Sequence, residues 1–488
     1  MNRPLRRVAL ACLVLFGLLL VNVNWVQVVK ADAYRDDPRN SRVLLRTYER
    51  ERGAIAVLAE AGRRMAIAES TRTEGPLTWL RRYPGGPAYA HVTGYYSLVY
   101  GRSGVERAED RVLSGEDDRL FVRRLSDYVT GNAPKGGTVV LTLDPQAQAA
   151  AFRRLEGKRG AVVALDPRTG AVLAMVSRPS YDPAKLSSFE PAQIREYYQQ
   201  LTEAPDDPLL NRAISQTYPP GSTFKVVTAA AALESGEVTP ETRIPSPREL
   251  DLPQTSTNLR NFGGGSCTGD TSTLAEALEI SCNTAFGSLG LTLPEDAVRE
   301  QAKKFGFGDN DLRVPTSVAD SRYPDETNPP QAAQAAIGQF DVRVTPLQMA
   351  MVAAGVANGG EVMRPHLVKE VQSPDFSVLD QPDPERLSTA VSGDVAAELT
   401  RMMELVVASG SGKRAQIEGV RVAGKTGTAQ HAKGRPPHAW FIGFAPADDP
   451  KIAVAVVIED GGNLGNEATG GQLSAPIAAD VMRALLRR

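Results

Sequence analysis

The sequence has almost no net charge: 55 lysines and arginines stand against 57 aspartates and glutamates, a balance of −2 over 488 residues with charged side chains at 23%. Phosphate binding requires a concentrated basic surface, so this balance argues against a nucleic-acid footprint. Histidine is scarce. His91, His366, His431 and His438 are the whole complement, and their spacing is not that of metal ligands, so they read as structural or solvated side chains. Cysteine is scarcer still. Cys12 lies in an apolar segment, and only Cys267 and Cys282 remain, fifteen positions apart, as either one bridge or two buried free thiols. No internal repeat and no long low-complexity tract is present, and the length suggests a globular protein of about two or three domains.

The first thirty residues are of a different kind. Arg3, Arg6 and Arg7 precede fourteen residues without a charge, 8–21, and a weaker apolar stretch continues past Asn22, Asn24 and Gln27 to Val29. This is an export signal. Ala31-Asp32-Ala33 could be read as a cleavage site, but it lies twelve residues beyond Val21. Residues 8–29 give twenty-two uncharged positions, and at ~1.5 Å per residue they can cross a ~30 Å hydrocarbon core. An uncleaved single-pass anchor is expected, with the arginines inside and everything after Lys30 outside the cytoplasm.

Three units follow from texture: the cytoplasmic tip and anchor at 1–30, a charged stalk and small non-catalytic module at 31–136, and a larger unit at 137–488. The small module shows short strand-like pieces such as Ala54-Ile55-Ala56-Val57-Leu58 between Gly and Pro turns. In the larger unit GTVVLTLD reads as a strand, DPQAQAAAFRRLEG as a helix, and GAVVALDPRTGAVLAMVS as two strands around a turn. A long helical and loop-rich stretch occupies about 198–405. Strands return in VRVAGKTGTAQ, HAWFIGFAP and KIAVAVVIED, and residues 472–486 read as a closing helix. Strands at both ends with helices between them imply an α/β (α+β) fold, with one antiparallel sheet covered by helices and completed by distant segments.

The stretch YPPGSTFKVV, residues 218–227, is where local rules conflict. Pro219, Pro220 and Gly221 punctuate a turn, and the residues after it form an apolar helix up to Gly236. Such a helix should be buried. Lys225 nevertheless sits in its first turn, where the macrodipole favours anions. The alternative to function is Ser222 as N-cap with Lys225 snorkelling to the surface.

Two further motifs follow: Ser281-Cys282-Asn283 after the helical run TSTLAEALEI, and Lys425-Thr426-Gly427-Thr428 at the front of a strand. S-x-x-K is expected about twice by chance in such a chain, whereas a fixed K-T-G triplet is expected about 0.15 times. Ser256-Thr257-Asn258 also matches S-x-N but lies in a polar, glycine-rich segment, so Ser281 is preferred. On its own, Ser281 would read as a hydroxyl bonding back to its helix.

In this order, S-x-x-K, S-x-N and K-T-G resemble the penicillin-recognising serine acyltransferases. More of the chain resembles the class B penicillin-binding proteins, in their short actinobacterial A-type form. The resembling pieces are residues 160–183, the Tyr-Pro-Pro-Gly lead into Ser222, Gly338-Gln339, Thr345-Pro346-Leu347-Gln348, Trp440-Phe441-Ile442-Gly443, Arg52-Gly53-Ala54-Ile55 and YPGGPAYAHVTGYY. One departure is Phe340, where many relatives carry a second glycine. The resemblance implies a serine β-lactamase/transpeptidase-like fold with an all-helical subdomain, preceded by a dimerisation-like module. It also implies a D,D-transpeptidase that cross-links peptidoglycan stem peptides ending in D-Ala-D-Ala and is acylated by β-lactam antibiotics.

The implied roles are Ser222 as nucleophile, Lys225 as base with its pKa lowered by burial and by Lys425, and Ser281 as proton carrier to the leaving amine. Lys425 would tune Ser281 and attract the terminal carboxylate. Asn283 would bind the substrate amide, Thr426 and Thr428 the carboxylate, and Gly427 would let the strand approach the substrate. The backbone N–H groups of Ser222 and Thr428 would form the oxyanion hole. No metal or cofactor is required. With no glycosyltransferase module visible ahead of this region, a membrane glycosyltransferase of the shape, elongation, division and sporulation (SEDS) group is the implied partner. Two alternatives share the motifs: a serine β-lactamase, and a membrane-anchored β-lactam sensor or scaffold that binds without turnover. The E-x-x-L-N glutamate loop of class A β-lactamases does not occur after Asn283.

Overall fold

The computed structural model describes residues 2–31, 34, 48–59, 62–75, 77–120, 135–294, 296–431 and 434–487. Most of the expected stalk, and the Ala31-Asp32-Ala33 segment apart from Ala31, lie outside these. The helix Asn2–Asn24 continues into a π turn, Trp25–Val29. Its most apolar stretch of 18 residues, within Arg3–Val29, has a mean hydropathy of 2.2 and is not buried against the rest of the chain. By length and composition it is able to cross a membrane.

The main sheet has five antiparallel strands in the order Ala423–Ala429, His438–Ala445, Ile452–Ile458, Gly160–Leu165, Val172–Arg178. Its centre is apolar on both faces because helices cover both. Along the second strand Trp440, Ile442 and Phe444 enter one core, and Ala439, Phe441 and Ala445 enter the other. This is the two-residue alternation of a strand buried on each side. Helices Pro145–Arg154 and Gly470–Leu486 pack together on one face, and Pro346–Ala357 lies on the other. The Ala423–Ala429 strand, which carries K-T-G, is an edge.

A second sheet, of six strands, runs in the order Val378–Asp380, Val368–Gln372, Thr138–Leu141, Ile55–Leu58, Arg64–Arg72, Trp79–Arg82. Three of its strands come from the larger unit. Thr138–Leu141, read from sequence as opening that unit's own sheet, pairs in parallel with Ile55–Leu58 and antiparallel with Val368–Gln372. All four of its residues are buried, so their apolar character marked a strand without marking its partner. This shared sheet stitches the small module to the transpeptidase-like unit.

The stretch between the two halves of the main sheet is helical as expected. The helix Leu274–Glu279, closed by a Thr273/Glu276 capping box, falls within TSTLAEALEI. It also holds two short ladders, Arg243–Pro245 with Thr271–Thr273 and Glu249–Asp251 with Asn258–Arg260. The polar, glycine-rich segment that holds Ser256-Thr257-Asn258 therefore contains a short strand.

Candidate active site

Pro219 and Pro220 lead into a 3-10 turn, Gly221–Phe224, and then into the helix Lys225–Glu234. Ser222 makes no capping bond; it projects from the turn into a cleft of about 760 Å³. The turn is fixed from several sides. Trp440 Nε1 donates to the Pro219 carbonyl at 3.1 Å, Thr223 Oγ1 to the Pro220 carbonyl at 2.8 Å, and Gly221 N to Gly338 O at 2.9 Å. Gly221 has φ +53°, and a Cβ there would lie 2.8 Å from the Thr428 carbonyl. Glycine is required both by the backbone conformation and by the edge strand running beside it.

Lys225 does not snorkel. It is fully buried, and its Nζ donates to Ser281 O at 2.8 Å and Asn283 Oδ1 at 2.7 Å. Burial, and next the charge of Lys425, hold its pKa well below the ordinary lysine value. Lys425 is also fully buried; it donates to Ser281 Oγ at 2.7 Å and Thr426 O at 3.0 Å, and burial pushes its pKa down to about 7. Among the described residues, no carboxylate pairs with either lysine.

Ser281 therefore stands between the two lysines, touching Lys425 through its hydroxyl and Lys225 through its carbonyl. Its backbone is left-handed, φ +66°, which costs a non-glycine residue about 1–3 kcal/mol and persists only where the surroundings impose it. Cys282, next in sequence, is bonded to Cys267 with Cα atoms 5.9 Å apart, so of the two sequence readings the bridge is the one formed.

Thr426 and Thr428 line the cleft with Ser222, Ser281 and Asn283. Gly427 points away from it. A Cβ there would lie 3.0 Å from Pro220 O, Thr223 Cγ2 and Trp440 Cβ, so the close approach this glycine permits is to the nucleophile turn. Successive residues of a strand face opposite sides, which the triplet read as a unit conceals. The rejected motif residues are near by: Thr257 and Asn258 line the cleft and Ser256 is not among its lining residues.

Two site residues escaped the sequence. Ser411 Oγ lies 2.6 Å from Thr426 Oγ1 and lines the cleft, carried by a turn with no signal beyond its glycines. Glu459 accepts from Tyr218 OH at 2.7 Å and Arg212 Nε at 2.8 Å, anchoring the segment that leads into Ser222. Its acidic side chain follows the apolar run KIAVAVVI, which alone marks it as the end of a strand.

The histidines are not as separate as their spacing suggested. One ring nitrogen each from His431 and His438 and one Asp460 oxygen lie within 4.8 Å of one another. The two rings, however, stack with centroids 4.0 Å apart and planes at 6°. A metal binds imidazole in the ring plane, and two nearly parallel planes share no such point, so this arrangement does not chelate. His438 Nδ1 accepts from Asp460 N at 3.2 Å, and burial, then His431, push its pKa down to about 4. Neutral, it packs edge-on against Tyr218.

This arrangement can activate a serine by a neutral lysine, pass a proton through a second hydroxyl and hold a carboxylate on strand-edge hydroxyls. Comparison with known proteins points the same way. The family described as penicillin binding protein transpeptidase domain matches residues 160–483, and that described as penicillin binding protein A dimerisation domain matches residues 52–139. The chain is 48% identical to the peptidoglycan D,D-transpeptidase PbpA of Mycolicibacterium smegmatis, over 100% of this chain and 99% of that one. It is 45% identical to the peptidoglycan D,D-transpeptidase PbpA of Mycobacterium tuberculosis, with the same coverage. Its structure is similar to penicillin-binding protein A from M. tuberculosis in the ceftriaxone acyl-enzyme complex, with a TM-score of 0.86 at 43% identity over 91% of this chain and 100% of that one. For the penicillin G acyl-enzyme complex the TM-score is 0.84 at 44% identity, over 90% and 100%.

Proposed function

This chain belongs to the penicillin-binding protein transpeptidase family and is a peptidoglycan D,D-transpeptidase, a serine acyltransferase that β-lactams acylate; from that premise we propose how its own residues divide the reaction. Ser222 Oγ attacks the penultimate carbonyl of a stem ending in D-Ala-D-Ala, and its proton passes to neutral Lys225. The backbone N–H groups of Ser222 and Thr428 receive the oxyanion; the contact of Gly221 with the edge strand supports this. The tetrahedral intermediate collapses, the C–N bond breaks, and the departing D-Ala amine takes the Ser281 proton. Lys225 replaces that proton. In the second half an amine from a neighbouring stem attacks the Ser222 ester, loses a proton along the same route and leaves Ser222 free.

Thr426 and Thr428 hold the terminal carboxylate, and Asn283 the substrate amide. The observation that carries the assignment is the pair of buried lysines with no carboxylate partner among the described residues, converging on Ser281. A fluorescent penicillin should label the full-length chain at Ser222 only, and Ser222→Ala should abolish labelling. Label retained in that variant, or mapped to Ser281, would assign the nucleophile elsewhere. Aminolysis of a D-Ala-D-Ala thioester analogue by an added amine should accompany labelling; stable acylation with no turnover would favour the sensor reading.

The apolar N-terminal helix supports a single-pass anchor, with the catalytic unit outside the cytoplasm and residues 52–139 as a non-catalytic module between them. The chain would then cross-link glycan strands made by a SEDS-type partner in the membrane. Strand polymerisation by the purified chain alone would contradict that division of labour.

A further inference from the structure

We propose that Asn261 is a positioning residue for this reaction: its side chain, reaching across the cleft wall, sets the orientation of Asn283 and through it the seat of the Lys225 amine. The inference rests on the roles given above for Lys225 and Asn283.

The helix Asn283–Thr292 begins without a conventional cap. Its N-cap position is Cys282, whose sulfur is committed to the bridge with Cys267 and, among the helix's backbone amides, accepts only from Ala285 N, at 3.4 Å. The first amides of a helix have no partner within it and normally take a hydroxyl or carboxylate oxygen from the cap residue. Here the oxygen comes from twenty-two residues upstream. Asn261 Oδ1 accepts from Asn283 N at 2.7 Å and from Thr284 N at 3.2 Å. Its own Nδ2 donates to Gly265 O at 3.1 Å, which fixes which end of the carboxamide faces the helix.

The neighbouring residue completes the clamp. Asn283 Nδ2 donates to Arg260 O at 3.0 Å, so its Oδ1 is left facing Lys225 Nζ at 2.7 Å. The other acceptor of Lys225 is the Ser281 carbonyl, on a backbone held at φ +66°. Both acceptors of the proposed base thus lie on the segment 281–283, and the residues 260–261 hold that segment in place. The disulfide keeps the loop near but cannot orient an amide. The loop lines the same cleft as Ser222, so its ordering bears directly on the reacting groups.

The test is a set of variants in the full-length chain, scored by the second-order rate of penicillin acylation and by melting temperature. Asn261→Ala should slow acylation by about 10 to 100-fold, the size of effect expected when a reacting group is misplaced by up to ~1 Å. Asn261→Asp keeps an acceptor oxygen at the same reach and should stay within about threefold of the parent. Asn261→Gln retains the polarity but is one methylene too long, and should be slow like the alanine variant. Should Asn261→Ala fail to fold, the Asp and Gln variants still decide. A rate order with Asp well above Gln supports the proposal. Equal rates for Asp and Gln, or a lowered melting temperature with unchanged acylation, would overturn it and leave Asn261 a purely structural cap. Ser222→Ala in the same assay separates the two readings: if that variant is still labelled, it is the assignment of the nucleophile that has failed.

Discussion

Both units of this molecule bury charge, and they do so to opposite ends. In the small module Arg52 and Arg81 are buried against Glu106, each with a 2.6 Å contact, and Arg52 also meets Asp110 at 2.7 Å. Arg102 closes the far side of Asp110, and the Arg52 guanidinium lies over the Tyr96 ring at 4.5 Å. Burial would raise the Glu106 pKa, but Arg81 and Arg52 outweigh it and hold the carboxylate below its usual range. In the cleft Lys225 and Lys425 are just as buried but, among the described residues, unpaired with acid, and both are pushed towards the neutral form. The same desolvation, with and without counter-charge, gives a structural lock in one place and a proton acceptor in the other. A buried cation is informative about function only once its partners are known.

The sharpest way to break this contrast is to remove one charge from each region. Lys225→Ala should slow penicillin acylation by about 10² to 10⁴-fold, the usual range for a positioned base. It should lower the melting temperature less than loss of a buried ion pair does, because two hydrogen bonds are lost but no charge is left without its partner. A normal acylation rate would move the base elsewhere. Glu106→Gln should do the reverse. Leaving two buried guanidiniums short of charge costs about 3–5 kcal/mol, seen as a lower melting temperature, while acylation measured well below that temperature is unchanged. An unshifted melting temperature would show that the module's charges are dispensable.

The smallest effect is a slope. Lys225 and Lys425 have folded-state pKa values below their unfolded ones, so between about pH 7, for Lys425, and the ordinary lysine value near ~10.4 the unfolded chain binds more protons than the folded one. Stability therefore rises with pH across this window, by at most about 1.4 kcal/mol per pH unit for each lysine. Below it the penalty for burying the charge is fully present. Lys425→Met should flatten the rise in denaturant midpoints between pH 7 and 10. A slope unchanged in that variant would mean that Lys425 remains charged when folded.

The motifs were legible because their chemistry is local. Pro219-Pro220-Gly221 announces the turn, the run KVVTAAAALE the buried helix, and the unwelcome Lys225 the active site. The apolar strands 438–445 and 452–458 were equally plain. Pairing was not: Thr138–Leu141 reads as a strand whichever sheet receives it, and the structure gives it to the small module. Asn261, Ser411 and Glu459 carry no signal for their partners, because a hydrogen bond to a residue 15 to 247 positions away leaves no pattern in either neighbourhood. Gly427 was recognised as a glycine needed for close approach, but which neighbour it approaches depends on the face of the strand.

What the sequence determined by itself is an inventory: a nucleophile, two lysines, a second serine, an amide and two strand hydroxyls, on elements that their own residues specify. What the tertiary structure decided is their convergence. Ser281 and Lys425 are 144 positions apart and their side chains meet at 2.7 Å, and the two cysteines became a bridge only when a loop and a helix end brought their Cα atoms to 5.9 Å. Propensity and periodicity act over a few residues, whereas the burial that strips Lys225 and Lys425 of their water is shared by the whole packed domain, and so is the effect on their charge.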